Sequence, residues 1–148
     1  RLIASGKVIT GFDMVCKFAL GADLCNSARG MMFSLGCIQS LHCNTNACPT
    51  GIATQDQKRT GAVVPENKSK RVNTFHHNTV KSAMALMGAM GFSAPNELSA
   101  GDICVRTDSC DSKTLSDRYV QLEKGALLSE ALPDFFAKEW EEASSATF

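Results

Sequence analysis

The stretch RLIASGKVITGFDMVCKFALGADLCNSARG, residues 1–30, decides the fold class of this chain. Residues 1–5 have the apolar character of a short buried strand that Gly6 closes, and residues 22–28 predict a second strand. A helical pattern lies between them. A strand, a helix and a second strand in quick succession form a right-handed parallel crossover unit. The sequence therefore predicts an α/β fold.

The helix predicted over residues 10–21 has a signal at each end. Thr10 can cap its first turn, and Asp13 can return the bond in a capping box. Gly21 is placed to end the helix in a left-handed conformation. The predicted apolar face comprises Met14, Val15, Phe18 and Ala19.

Three further helices are predicted. They lie at residues 29–36, at residues 67–90 and within the amphipathic segment 129–148. Residues 51–71 and 93–117 are polar and turn-rich, which predicts irregular surface segments. The apolar stripe of the longest helix comprises Val72, Phe75, Thr79, Ala83, Leu86, Met87 and Met90. The apolar side of the last helix comprises Phe135, Phe136 and Trp140.

Both predicted strands end in glycine and a basic residue ahead of a helix. The first turn contains Ser5, Gly6 and Lys7, and the second spans residues 26–30. Helix N-termini are electropositive and present free N–H groups, so phosphate is the expected ligand. In (β/α)₈ barrels such a site commonly follows the last two strands. The alternative is that Gly6 and Gly30 only permit tight turns.

The seven cysteines are an odd number, so they cannot all form disulfides with one another. No signal-peptide pattern leads the sequence. It opens without a methionine, so we expect a piece of a longer protein. We expect that protein to be cytoplasmic. Four cysteines occur singly in apolar or turn contexts, and we expect buried or free thiols at Cys16, Cys25, Cys104 and Cys110.

The remaining cysteines crowd into GCIQSLHCNTNACPTG, residues 36–51. Zinc usually takes four ligands, often in C-x-x-C pairs, and Cys37, Cys43 and Cys48 offer neither. His42 is disfavoured as a fourth ligand because its sequence neighbour is already a candidate. Thiolates suit iron–sulfur clusters, and a Cys-Pro ending occurs in ferredoxin runs. A cluster that lacks one iron corner needs only three cysteines. The alternative is three reduced thiols in a loop.

Composition excludes several classes of function. Fifteen acidic residues balance fifteen basic ones, which argues against a nucleic-acid partner. No apolar run approaches the ~18 residues of a membrane-spanning helix.

His76 and His77 face different directions on a helix, so we expect packing or capping rather than metal binding. Asp102, Asp108 and Asp111 fail the EF-hand spacing, so we expect a solvated loop.

Residues 21–55, GADLCNSARGMMFSLGCIQSLHCNTNACPTGIATQ, resemble the FMN and iron–sulfur synthase domain of glutamate synthase. The closest likeness is to the stand-alone FMN-binding glutamate synthase family of bacteria and archaea. RLIASGKVITGFD, RVNTFHHNTV and the terminal WEEASSATF are similar to that family too, so the resemblance covers nearly the whole chain.

This resemblance implies the C-terminal portion of a (β/α)₈ barrel, with its last two parallel strands. Residues 1–95 would end the FMN-binding barrel, including the iron–sulfur loop 36–51, and residues 96–148 would pack on it as an extension. It implies a three-iron, four-sulfur cluster held by Cys37, Cys43 and Cys48. It also implies that the FMN phosphate faces Ser5, Gly6, Lys7, Ala28, Arg29 and Gly30. The classical family members lack an arginine at the position of Arg29.

The implied activity is oxidoreduction on CH–NH₂ donors. Electrons would pass through the cluster to FMN and reduce the imine of 2-oxoglutarate and ammonia, or glutamine-derived ammonia, to L-glutamate. The expected electron donor is a protein or an NAD(P)H-linked subunit. Catalytic groups should lie on strands absent from this chain, so no catalytic residue is assigned and the chain alone should be inactive.

Two other functions remain open from the sequence. One is an iron–sulfur electron-transfer module without flavin, and the other is a structural piece whose cysteines bind nothing. In the barrel fragment that the resemblance implies, two strands alone would leave open edges, and such edges pair with other copies. We therefore expect self-association.

Overall fold

A computed structural model describes residues 1–107, 111–129 and 132–146. The strands in these ranges are β1 (Ile3–Ala4), β2 (Leu24–Cys25), β3 (Cys104–Arg106) and β4 (Ser112–Thr114). The helices are α1 (Gly11–Ala19), α2 (Ala28–Leu35), α3 (Gln57–Thr60), α4 (Pro65–Ala89), α5 (Leu115–Arg118) and α6 (Asp134–Glu142). The chain is helix-rich, and its N-terminal part is α/β.

β1 and β2 form the parallel pair that the sequence predicts. Ile3 lies opposite Leu24 and Ala4 opposite Cys25, with α1 between the two strands in the chain. Each strand has two residues, fewer than predicted. The two strands form a two-stranded sheet of their own. Shortly after β1, the chain turns at Gly6, which has a positive φ.

α1 has the predicted capping. The Thr10 hydroxyl accepts a 3.2 Å bond from the amide of Asp13, whose carboxylate accepts a 2.8 Å bond from the amide of Thr10. At the other end Gly21 has a φ of +95°, and the Ala22 amide bonds the carbonyl of Lys17 at 3.1 Å. Both ends of the helix are therefore fixed by local sequence.

One hydrophobic core joins α1, α4 and the segment that follows α4. On α1, Val15 and Ala19 are buried, and Met14 and Phe18 pack against them, which confirms the predicted face. On α4, Ala83 and Met87 are buried. The later segment contributes Leu98, Ala100, Ile103 and Leu115.

α4 is the longest helix and follows the predicted stripe, with one exception. Met90 is the C-cap residue of the helix and is 36% exposed, so it does not share the burial of the stripe. The helix begins at Pro65, two residues before the predicted start. Proline suits this first position, since its fixed φ matches the helix and its missing N–H has no intrahelical partner there.

The segments expected to be irregular contain regular elements. Within residues 51–71, Asp56 caps α3 by accepting a 2.9 Å bond from the amide of Lys58. Within residues 93–117, β3 and β4 form an antiparallel hairpin that leads into α5. These elements are three or four residues long, too short for hydrophobic periodicity to detect.

The predicted C-terminal helix is α6, but its apolar side is not buried. Phe135 is 67% exposed and Trp140 is 43% exposed. The expectations for Asp108 and Cys110 fall outside the described residues. In the described part of the chain, no helix combines the length and apolar character needed to cross a membrane.

Candidate functional site

The first predicted turn projects from the end of β1 into solvent. Ser5, Gly6 and Lys7 are all exposed. Gly6 has a φ of +87° and Lys7 a φ of +56°, so two successive residues adopt left-handed backbone. That conformation is unfavourable for lysine. Strained backbone of this kind occurs often at ligand-binding turns.

The second predicted turn is the first turn of α2. Ala28, Arg29 and Gly30 are its first three residues, so their amides lie at a helix N-terminus. The N-cap residue Ser27 makes no side-chain bond to them. Its hydroxyl instead donates a 2.6 Å bond to the carbonyl oxygen of Val8. This bond joins the loop after β2 to the loop after β1.

Gly30 serves close packing, whether or not a phosphate binds nearby. It is buried within α2 and does not have a positive φ. A methyl group at this position would lie 2.6 Å from Ser27 Oγ and 3.0 Å from Phe75 Cζ. The tight-turn explanation of this glycine is therefore wrong, because Gly30 has helical backbone and is constrained by contacts with Ser27 and with Phe75 of α4.

The cysteine loop begins where α2 ends. Gly36 terminates the helix with a φ of +105°, and the amide of Cys37 bonds the carbonyl of Met32 at 3.0 Å. Gln39, Leu41 and Asn46 also have left-handed backbone. The Asn46 side chain accepts a 2.6 Å bond from the amide of Gln55, which closes the loop.

Two of the three loop cysteines share a cavity with the start of α2. Cys37 and Cys43 line a volume of about 410 Å³ together with Ala28 and Arg29. Met32 and Leu41 supply apolar walls. The structure thus brings part of the predicted phosphate-binding set next to part of the predicted cluster-binding set.

Cys48 lies apart from that cavity and is 6% exposed. Its sulfur lies 3.3 Å from the Thr50 hydroxyl. This hydrogen bond, with further ones from the amides of Ala53, Thr50 and Ile52, lowers the pKa of Cys48 to about 7. The environment therefore favours the thiolate, the form that binds metals.

Cys37, Cys43 and Cys48 offer thiolate sulfur, the ligand type that an iron–sulfur cluster requires. In the described ranges, however, no three histidine, cysteine or carboxylate side chains lie together as ligands of one metal ion. The ligand role of Cys37, Cys43 and Cys48 therefore stays a prediction.

The other described cysteines are free thiols, as predicted. Burial raises the pKa of Cys16 and of Cys25, which makes both less reactive. Cys104 is exposed on β3.

Two cations near the loop were not anticipated from the sequence. A methyl group at Gly36 would lie 3.2 Å from Lys68 Nζ and 4.0 Å from Arg71 Nη1. α4 therefore places positive charge at the C-terminal end of α2, which has no basic residue in its own last turn. The spacing of three residues between Lys68 and Arg71, one helical turn, is the signal that could have revealed them.

These features define an α/β protein with a candidate anion-binding helix start next to a cysteine-rich loop. The family model described as a conserved region in glutamate synthase matches residues 1–93. The chain belongs to the glutamate synthase family.

Individual relatives agree with this assignment. The chain is 40% identical over 108 residues to the glutamate synthase large subunit-like protein YerD of Bacillus subtilis (strain 168), covering 73% of the chain and 21% of that protein. It is 30% identical over 97 residues to the archaeal-type glutamate synthase [NADPH] of Thermotoga sp. (strain RQ2), covering 66% and 19%. It is 32% identical over 123 residues to the ferredoxin-dependent glutamate synthase 2 of Synechocystis sp. (strain ATCC 27184 / PCC 6803 / Kazusa), covering 83% and 7%. The chain thus spans about a fifth or less of these relatives.

Proposed function

We propose that this chain is the C-terminal part of the FMN-binding barrel of a cytoplasmic glutamate synthase. The complete protein forms L-glutamate from 2-oxoglutarate and ammonia, or glutamine-derived ammonia. Family membership over residues 1–93 supports the proposal. The observation that carries it is the cavity in which Arg29 meets Cys37 and Cys43.

In this proposal β1 and β2 are the last two strands of the (β/α)₈ barrel. Their parallel pairing with α1 between them supports this assignment. Residues 1–95 complete the barrel, and residues 96–148 form an extension. The packing of this extension on the barrel is supported by Leu98, Ile103 and Leu115, which lie in the same hydrophobic core as α1 and α4.

The FMN phosphate lies between the two loops in this proposal. The first three amides of α2 and the Arg29 side chain supply its hydrogen-bond donors, and Lys7 supplies a second positive charge. Ser5 and Gly6 shape the first loop. Ser27 holds the two loops together through Val8, so it acts as a positioning residue.

Cys37, Cys43 and Cys48 hold the three-iron, four-sulfur cluster in this proposal. When bound, the cluster supplies one-electron transfer and FMN supplies hydride transfer to the imine. Thr50 keeps Cys48 ready as a thiolate, and Met32 and Leu41 supply apolar surface beside Cys37 and Cys43.

Electrons come from a donor protein or an NAD(P)H-linked subunit in this proposal. The groups that bind 2-oxoglutarate lie on strands outside this chain, so the chain alone is inactive.

The test is iron, sulfide and flavin analysis of the full-length protein and of this chain, both purified without air. We expect iron and sulfide in both, with losses in Cys37→Ser, Cys43→Ser and Cys48→Ser. Cys104→Ser is the matched control and should leave the metal content unchanged. Iron without flavin in the full-length protein would favour the electron-transfer module, and colourless protein with titratable thiols would contradict both functions.

A further inference from the structure

A groove separate from the cysteine loop runs along α4. It has a volume of about 730 Å³, and we call it the α4 groove. Ile9, Phe33 and Phe75 give it an apolar floor, and Lys70 and Arg71 line it near the start of α4. No carboxylate among the described residues lines it. The groove therefore suits a partner that is apolar on one side and acidic around it.

The length of the α4 groove fits a short helix. Its α4 wall extends from Lys70 to Ser82, which corresponds to about 18 Å of helix. α6 has nine residues and a length of about 13 Å. An amphipathic helix in an apolar groove is a common mode of recognition.

α6 has the side chains that the α4 groove requires. Phe136 and Trp140 are four residues apart and share a face, and the Phe135 ring contacts Phe136 edge-to-face at 4.8 Å. Four carboxylates and a single lysine make the helix acidic. No residue of α6 is buried, and none lines the α4 groove. Within one copy of the chain, α6 therefore does not occupy the α4 groove.

We propose that α6 of one copy of this chain binds the α4 groove of a second copy. Phe136 and Trp140 contact the apolar floor, and the carboxylates of α6 face Lys70 and Arg71. Reciprocal exchange of α6 gives a closed two-fold dimer with two identical contacts. This interface does not depend on the proposed glutamate synthase activity.

The chain carries its own reporter for this contact. Trp140 is the single tryptophan of the 148 residues, so its fluorescence reports the environment of α6. Sedimentation velocity across a concentration series should show a monomer–dimer equilibrium, and the Trp140 emission should shift to the blue as dimer forms. Added salt should weaken the dimer, because exposed charge pairs are screened.

Charge-reversal variants provide the decisive comparison. K70E/R71E and E139K/E141K should each weaken the dimer at least tenfold, because like charges then meet in the groove. An equimolar mixture of the two variants should restore it, because each groove again meets a helix of opposite charge. Lys113→Glu on β4 is the matched control and should dimerise normally. Circular dichroism establishes that each variant is folded.

Three results would overturn the proposal. Association that survives K70E/R71E but is lost in Ile3→Lys would show pairing through the β1 edge. A monomer with blue-shifted Trp140 emission at every concentration would show that α6 binds within its own chain. A monomer with solvent-exposed Trp140 would show that α6 does not bind the groove.

Discussion

The hydroxyl of Ser27 donates a 2.6 Å hydrogen bond to the carbonyl oxygen of Val8. The two residues follow different strands, and Val8 is only 3% exposed. A side chain that would ordinarily cap α2 is therefore used to join two loops. The amides at the start of α2 are left without a side-chain cap, and this is the arrangement an incoming anion requires.

Ser27→Ala should destabilise the chain. It leaves the Val8 carbonyl without its hydrogen-bond donor, which costs about 1–2 kcal/mol of unfolding free energy. Urea denaturation followed by circular dichroism measures this loss. Ser69→Ala is the control, since Ser69 is exposed and its hydroxyl donates to the Glu66 carbonyl within α4, and it should change stability by less than about 0.5 kcal/mol. Equal stability of the two variants would contradict a structural role for the Ser27 bond.

Gly30→Ala and Gly88→Ala should have opposite effects although both glycines lie in helices. The methyl group at position 30 meets Ser27 Oγ and the Phe75 ring, so we expect a loss of about 1–3 kcal/mol. At position 88 nothing lies within 4 Å, so we expect a gain of about 0.5–1 kcal/mol from helix propensity. Thermal unfolding of both variants measures the difference. A neutral Gly30→Ala would show that Ser27 and Phe75 are not closely packed around this position.

Asp13→Asn should remove an acid-sensitive contribution to stability. Burial raises the pKa of the Asp13 carboxyl, but hydrogen bonds from Thr10 and Ile9 outweigh it and hold the pKa below the usual 3.8. The carboxylate therefore stabilises the fold fully above pH 3.8, and this contribution is lost as pH falls through the lowered value.

At pH 6 we expect Asp13→Asn to cost about 1 kcal/mol. The difference from the parent chain should shrink as the pH falls below 3.8, because Asp13 then becomes protonated. Denaturation at a series of pH values measures it. Glu123→Gln, an exposed carboxylate, is the control. A difference that stays constant down to low pH would contradict this account of the cap.

Arg29→Ala should weaken FMN binding to the complete protein without affecting riboflavin binding. The proposed contact is a charge-assisted bond to phosphate, so its loss should reduce FMN affinity roughly tenfold or more. Fluorescence titration with both flavins measures the two affinities. Lys17→Ala, a cation on α1, should leave both unchanged. Equal loss of FMN and riboflavin affinity would mean that Arg29 does not contact the phosphate.

The sequence predicted the elements whose ends and faces are defined locally. α1 was predictable because Thr10, Asp13 and Gly21 mark its boundaries, and α4 because its stripe persists over many turns. The same Ser/Thr-x-x-Asp signal recurs at Ser99–Asp102 and Thr114–Asp117, where both aspartates accept bonds from the preceding cap residue. These two signals therefore predict the helical turns that follow Ser99 and Thr114, within the segment 93–117 that was expected to be irregular.

Other features depend on contacts between distant segments and could not be predicted. Part of the constraint on Gly30 comes from Phe75, and the cations beside Gly36 come from α4. The three cysteines are close together in the sequence, but the sequence could not show that Cys48 is buried and that only Cys37 and Cys43 line the cavity at the start of α2. The surroundings of Gly30 and Gly36 depend on how α2 packs on α4, which local patterns do not encode.

Electron paramagnetic resonance of the full-length protein, purified without air and then oxidised, tests the central claim most directly. We predict the signal of a three-iron cluster, which Cys48→Ser abolishes and Cys104→Ser preserves. A silent spectrum, or a signal that survives Cys48→Ser unchanged, would contradict the assignment of the cysteine loop.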